Sequence, residues 1–186
     1  MNVSCFSRGA LLLLVMAFAP TFASAQEKTS SRENLFVNGS FAKNLEGWNV
    51  RSSVPGGTAV IDEAETRDGR PTLRISNPKG NDTFVTQKVT LKPNMRYRIT
   101  GYIKTKDVVP DKRTSKDGAS ISISGGFETT DRVQKTKPWA KVELEFESGG
   151  KTEMTIGPRL GQYHNTVVGT AWFADLELVE IGRARK

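Results

Sequence analysis

At 186 residues the chain suits one domain with a full hydrophobic core. One histidine and one cysteine exclude Cys/His nucleophilic centres and histidine-built zinc sites. The net charge of +7 would suit nucleic acid, an anionic membrane surface or an acidic polysaccharide. Its cations are scattered, however, over Arg96/Arg98, Lys104/Lys106, Lys112/Arg113/Lys116, Lys135/Lys137 and Arg183/Arg185/Lys186. No basic amphipathic helix and no aromatic-plus-basic RNA-binding pattern accompanies them, so they read as a solvated basic surface, with an anionic glycan as the alternative and nucleic acid disfavoured.

Residues 1–25 have the pattern of an export signal: Arg8, an apolar run from Ala10 to Ala19, and the small-x-small cleavage site Ala23-Ser24-Ala25. The run is too short to span a bilayer, so the expectation is an exported protein, periplasmic, secreted or on the cell surface, with cleavage near Ala25. Cys5 lies ahead of that run, so the exported chain uses no disulfide and must draw its stability from its core or a metal.

Residues 26–33 are polar and read as a flexible lead-in. From there the apolar period is two and almost nothing reads as a helix. Asp62, Glu63 and Glu65 read as an acidic loop. Leu73 and Ile75 alternate with Thr72, Arg74 and Ser76; Val85, Val89 and Leu91 share one phase, before a turn at Pro93-Asn94. Tyr97, Ile99, Gly101 and Ile103 then form one face, leaving Arg98 and Tyr102 on the outward one. Val108 to Gly118 reads as an exposed charged loop. Ile121 and Ile123 alternate with Ser120, Ser122 and Ser124, which face outward, before a Gly125-Gly126 break. Val142, Leu144 and Phe146 alternate with Lys141, Glu143 and Glu145. Met154 and Ile156 follow, then Leu176, Leu178 and Ile181, with 182–186 a basic tail. Eight or so short strands separated by Gly, Pro and Asn turns predict an all-β, antiparallel two-sheet sandwich over 34–181.

Trp48 and Tyr97 are expected in the core, Trp139 at a sandwich edge, and Trp172 in the core because it shares a phase with Ala174, Leu176 and Leu178. Tyr102 is the clearest outward aromatic, and Tyr163, beside His164 in the Gly161–Gly169 loop, the second. Gln87 shares the phase of Val85 and Val89, so either a bulge turns it outward or it is a hydrogen-bonded core residue. No G-x-S-x-G elbow or phosphate loop appears, and Glu143 and Glu145 beside Lys141 read as ordinary surface rather than a glycosidase pair. The expectation is a protein without catalytic activity.

Two motifs bracket this β-rich region. Asn34-Leu35-Phe36-Val37-Asn38-Gly39-Ser40-Phe41, followed by Gly47-Trp48, opens it, and Trp172-Phe173-Ala174-Asp175-Leu176-Glu177-Leu178 closes it. Between them lie Val85-Thr86-Gln87-Lys88-Val89-Thr90-Leu91-Lys92-Pro93, the strand from Tyr97 to Lys104, and Trp139-Ala140-Lys141-Val142. In this order they resemble the family 4/9/16/22 carbohydrate-binding modules. The resemblance implies a galactose-binding-like jelly roll that binds a polysaccharide or oligosaccharide by ring stacking and hydrogen bonds, with Tyr102, Arg98, Tyr163 and Gln87 as candidate ligand residues. It also implies a structural calcium joining the opening and closing segments, with Asp175 and Ser40 as candidate ligands; the glutamate position of that pattern holds Ala42, and the first residue of its closing Asp pair is Ala174. The alternative is a secreted structural or adhesion domain that binds a protein partner.

Overall fold

Alternation of apolar and polar side chains lets a strand bury one face and hydrate the other. Nine strands form among the described residues: β1 Asn49–Ser52, β2 Thr58–Arg67, β3 Arg70–Asn81, β4 Thr83–Thr90, β5 Met95–Pro110, β6 Ala119–Ile123, β7 Lys135–Glu147, β8 Glu153–Leu160 and β9 Val167–Arg183. The computed structural model describes Met1 and residues 32–112, 116–163 and 165–184. The expected export signal, the lead-in as far as Ser31, Arg113, His164 and the Arg185-Lys186 end of the tail lie outside the described residues. Among the described residues no helix is long and apolar enough to cross a membrane.

The strands make two antiparallel sheets, one ordered β1-β4-β8-β6 and the other β2-β3-β9-β5-β7. Their inner faces share one core: Val85, Ile121, Ile156 and Leu160 from the four-stranded sheet meet Leu73, Ile75, Ile99, Ile103 and Phe173 from the five-stranded one. Each is essentially inaccessible to water, and burial on this scale is worth about 1.5–3 kcal/mol per side chain. The two-sheet sandwich is as the sequence predicts, and Trp48 and Tyr97 are core residues.

The opening segment, residues 34–48, forms no strand and is stitched to both sheets. Asn34 Nδ2 donates to the Leu176 carbonyl (2.9 Å), Asn34 Oδ1 accepts from the Leu178 amide (2.9 Å), and the Leu35 amide donates to the Leu178 carbonyl (2.8 Å). Gly39 passes so close to β9 that a Cβ there would collide with the Leu176 carbonyl oxygen. Phe36, Trp48 and Phe41 stack in sequence with centroids 5.4 and 5.5 Å apart, seating the segment on the core.

Several strands differ from expectation for local reasons. Asp62, Glu63 and Glu65 lie within β2 rather than in a loop. The Asp62 carboxylate accepts the Ala64 and Glu65 amides, both at 3.0 Å, and the register shifts between Asp62 and Arg67, so an irregular strand carries an acidic run. β5 continues through Pro110 with Val108 fully buried, which makes part of the expected charged loop a strand. Trp172 points outward, not into the core. In β9, Ala171 and Phe173 face inward, Asp175 takes the left-handed conformation (φ 50°), and the pairing with β5 slips between Thr100 and Tyr102. This bulge changes phase, so Leu176 and Leu178 face inward although Trp172 does not.

Candidate functional site

The residues expected to bind a ligand are dispersed over the sandwich. Tyr102 does face outward from the five-stranded sheet, but the Arg67 guanidinium caps its ring at 3.4 Å from the centroid. Arg98 lies on the same face in an ion-pair ladder: Nε and Nη2 reach Glu145 Oε1 at 3.1 and 2.6 Å, Glu143 is at 3.3 Å, and Arg96 reaches Glu145 Oε2 at 2.7 Å. Hydrogen bonds from Arg98 and Arg96 hold the Glu145 carboxyl below its ordinary pKa, and Glu145 raises that of Arg98. Gln87 is the hydrogen-bonded core residue of the two readings. Its amide accepts the Val37 N–H (2.7 Å) and donates to the carbonyls of Val37 (2.9 Å) and Gly47 (3.1 Å). Only Tyr163 lies on the outer face of the four-stranded sheet.

That outer face holds an arrangement the sequence did not reveal. Cross-strand pairing sets Arg51, Phe84, Arg159 and Ser120 in one row. A second row runs Asn49, Thr86, Gly157, Ser122, and a third joins Lys88 to Thr155, whose carbonyl accepts the Ser124 amide (2.8 Å). The middle row has only short side chains, and Gly157 has none because a Cβ would collide with the Val85 carbonyl oxygen. The result is a polar trough across the strands. Large side chains border the first row, and on the other side a concavity of ≈ 340 Å³ is lined by Lys88, Ser124, Lys151, Glu153, Met154 and Thr155.

Ser120 and Ser122, on the outward phase as expected, are nonetheless buried beside this border. The segment after β6 returns along its edge, pairing Thr129 with Ser122 and Val133 with Ala119. Tyr163 spans the same region: its ring faces the Arg159 guanidinium at 4.5 Å, and its hydroxyl donates to the Gly126 carbonyl. The guanidinium lies between that ring and Phe84, 4.7 Å away, and makes a two-point ion pair with Asp82 (2.7 and 2.5 Å). Arg159 Nη1 and the Gln162 amide are buried without a hydrogen-bond partner among the described residues. At the end of the trough Phe127 packs edge-on to Tyr163 (5.4 Å, 70°) yet is 81% exposed. An aromatic ring held in water beside a floor of hydroxyls, amides and cations suits a ligand with apolar faces and many hydroxyls. The sequence's one signal for Phe127 is its place after Gly125-Gly126, an aromatic in a turn where no core demands one.

The five-stranded sheet carries two other concavities. One, of ≈ 560 Å³, is lined by Trp172, Pro138, Lys104 and Lys106 among others. There the Trp172 indole N–H donates to Asp62 Oδ2 (2.9 Å), a bond that holds the Asp62 carboxyl below its ordinary pKa. The other, of ≈ 390 Å³, brings together Ser40 and Asp175, the expected calcium ligands, with Asn34, Arg70 and Tyr102. Arg67 pairs with Asp175 Oδ2, and Arg70 with Oδ1 at 2.7 Å.

Residues 33–156, more than half the chain, match the model of the family described as carbohydrate binding domain. The chain belongs to that family. The resemblance read from the opening and internal motifs is therefore borne out, and the closing motif, beyond the matched residues, is the one Asn34 and Gly39 hydrogen-bond. Among curated proteins, this carbohydrate-binding domain is 24% identical over 168 residues to the tRNA nuclease WapA of Bacillus subtilis (strain 168), a match covering 80% of this chain and 7% of that protein. It is 22% identical over 142 residues to exochitinase 1 of Streptomyces olivaceoviridis, covering 76% of this chain and 21% of that one. The chain thus spans a small part of the curated relatives it matches. Similar solved structures include TmCBM61 in complex with β-1,4-galactotriose (TM-score 0.56, 17% identity, 80% of this chain and 99% of that one). Another is the CBM22-1 xylan-binding domain of Paenibacillus barcinonensis Xyn10C (TM-score 0.54, 14% identity, 82% and 97%). A third is the enzymatically active domain of tailspike protein 4 from bacteriophage CBA120 (TM-score 0.60, 15% identity, 80% and 21%). These likenesses show a shared jelly-roll fold.

Proposed function

We propose that this carbohydrate-binding domain holds a glycan chain reversibly, without chemistry, across the trough of its four-stranded sheet. The observation that carries the reading is Phe127, exposed to water yet braced on Tyr163 at the end of a trough of short polar side chains. A pyranose ring presents C–H groups that stack on Phe127, and Tyr163 offers a second ring edge. The hydroxyls of Ser124 and Thr155 and the ammonium of Lys88, which pairs with Glu153 at 2.7 Å, supply hydrogen bonds along the trough. Its relatives and structural neighbours include a chitinase, a xylan-binding domain and a galactotriose complex, which supports sugar as the ligand class. The leader-like residues 1–25 support action outside the cytoplasm, where such polymers occur.

Two observations weigh against the rival readings. Glu143 and Glu145, the one carboxylate pair weighed for glycosidase chemistry, are engaged by Arg98 and Arg96. The edge strand β7 carries Lys135, Lys137, Pro138 and Lys141, which oppose addition of a partner's strand.

The test is a glycan array with the purified protein, followed by calorimetric titration of the best ligand against wild type, Phe127→Ala and Tyr102→Ala. Phe127→Ala is expected to weaken binding roughly tenfold, about 1.4 kcal/mol, the scale of one aromatic contact. Tyr102→Ala, on the opposite sheet, is expected to leave affinity unchanged. Saturable binding that tolerates loss of Phe127 rejects this site, and an array without binding rejects the function.

A further inference from the structure

We infer that two arginine guanidiniums, Arg67 and Arg70, do at Asp175 the work of a divalent cation, so that the domain's stability is independent of calcium. Calcium needs six to eight oxygen donors, preferably with more than one carboxylate. Of the two carboxylates that the resemblance implies for the ion, Asp175 remains and Ala42 stands in place of the other. Both Asp175 oxygens are taken, Oδ2 by Arg67 and Oδ1 by Arg70 at 2.7 Å. Among the described residues, no group of three or more His, Cys, Asp or Glu side chains could hold a metal. The donor set does not fit the ion, whereas the two guanidiniums bring the same two positive charges to the same carboxylate.

The positions of these groups are fixed by the backbone. Asp175 is presented by the β9 bulge, opposite Gly101, where a Cβ would crowd Leu176 and Ile121 side-chain carbons at 2.7 and 2.8 Å. Arg67 and Arg70 are cross-strand partners flanking the Asp68-Gly69 turn, whose two residues have φ of 50° and 74°. Arg67 is held from below by the Tyr102 ring and from the side by Asp68 at 2.8 Å. The Asp175 and Arg67 side chains are 20% and 19% exposed, so this pairing is shielded more than a surface ion pair. The cluster ties the β2–β3 hairpin to the strand that Asn34 joins to the opening segment. It also gives Tyr102, the expected sugar platform, a structural task.

The experiment is thermal unfolding of wild type, Arg67→Gln/Arg70→Gln, Asp175→Asn and the triple variant, each in calcium chloride and in EDTA. The wild-type midpoint is expected to be the same in both solutions. The double variant is expected to unfold roughly 5 °C lower. The triple variant should lose no more than the double one, because the partners act on one another. Salt near 1 M should narrow the gap between wild type and the double variant. A wild-type midpoint that rises with calcium and falls with EDTA overturns the inference. So does a double variant as stable as wild type, or a triple variant whose loss is the sum of the separate losses.

Discussion

Gln87→Ala tests how far the opening segment depends on a single buried amide. The side chain is 5% exposed and makes three hydrogen bonds to residues 50 and 40 positions away, at 2.7, 2.9 and 3.1 Å. A hydrogen bond of this kind contributes about 1 kcal/mol net. Val37 and Gly47 are exposed enough for water to reach part of the vacated backbone, which holds the total near the simple sum. We expect a loss of about 2–3 kcal/mol, or roughly 4–12 °C in the midpoint for a domain of this size. Urea unfolding followed by tryptophan fluorescence reads this directly, since Trp48 packs on Phe36 and Phe41 in the same segment. Gln87→Glu should be at least as costly, because it sets a carboxylate against the two carbonyls the amide now donates to. Well below the midpoint, the Gln87→Ala protein should bind glycan as wild type does. A stability loss below about 0.5 kcal/mol would refute the argument from hydrogen bonds. Lost affinity in the folded variant would instead put the amide in the binding site.

Three further outcomes follow from single contacts. Asp62 has a lowered pKa in the folded state, chiefly through the Trp172 indole, so its contribution to stability is present above the ordinary aspartate pKa and fades as pH falls through the folded value; the Trp172 indole N–H resonance should titrate with a midpoint below that of an ordinary aspartate. Gly39→Ala drives a methyl into the Leu176 carbonyl oxygen and should cost about 1–3 kcal/mol, measured by urea unfolding. Arg98→Ala breaks an exposed ladder and should cost about 1 kcal/mol or less, with no change in glycan titration.

Much of the sandwich was legible because its strands obey a single period. Tyr97, Ile99, Gly101 and Ile103 face the core as their alternation says, and Tyr102 faces outward. What failed was local or distant. Alternation alone places Trp172 in the core, but one left-handed residue downstream, Asp175, reverses it, and no composition signal announces a bulge. Ser120 and Ser122 face outward as their phase says yet are buried, because strand phase gives the direction of a side chain and not what covers it, here Thr129 over Ser122. β1 leaves no pattern because all four of its residues are exposed, and β2 sets only Ala59 and Ile61 against the core before its acidic, irregular half. The candidate site leaves less trace in the sequence than the fold does. Phe127 has no periodic partner, and the pairing of Arg159 with Asp82 spans 77 positions, as that of Arg67 with Asp175 spans 108. Long-range charge pairing leaves no trace in a local pattern.

The bulge in β9 also sets which length changes this strand can tolerate. Its inside-outside code is written in two reading frames that meet at Ala174-Asp175, with one residue more than a plain strand would need. Deleting one residue at that junction merges the frames and leaves Phe173 and Leu176 still pointing inward. The same deletion between Val167 and Phe173 would turn one stretch of the core inside out. The spare residue is Asp175 itself, the carboxylate that Arg67 and Arg70 share. At this junction an ionic contact and a length tolerance therefore occupy the same position, and a shortened β9 would keep its core while losing its clamp.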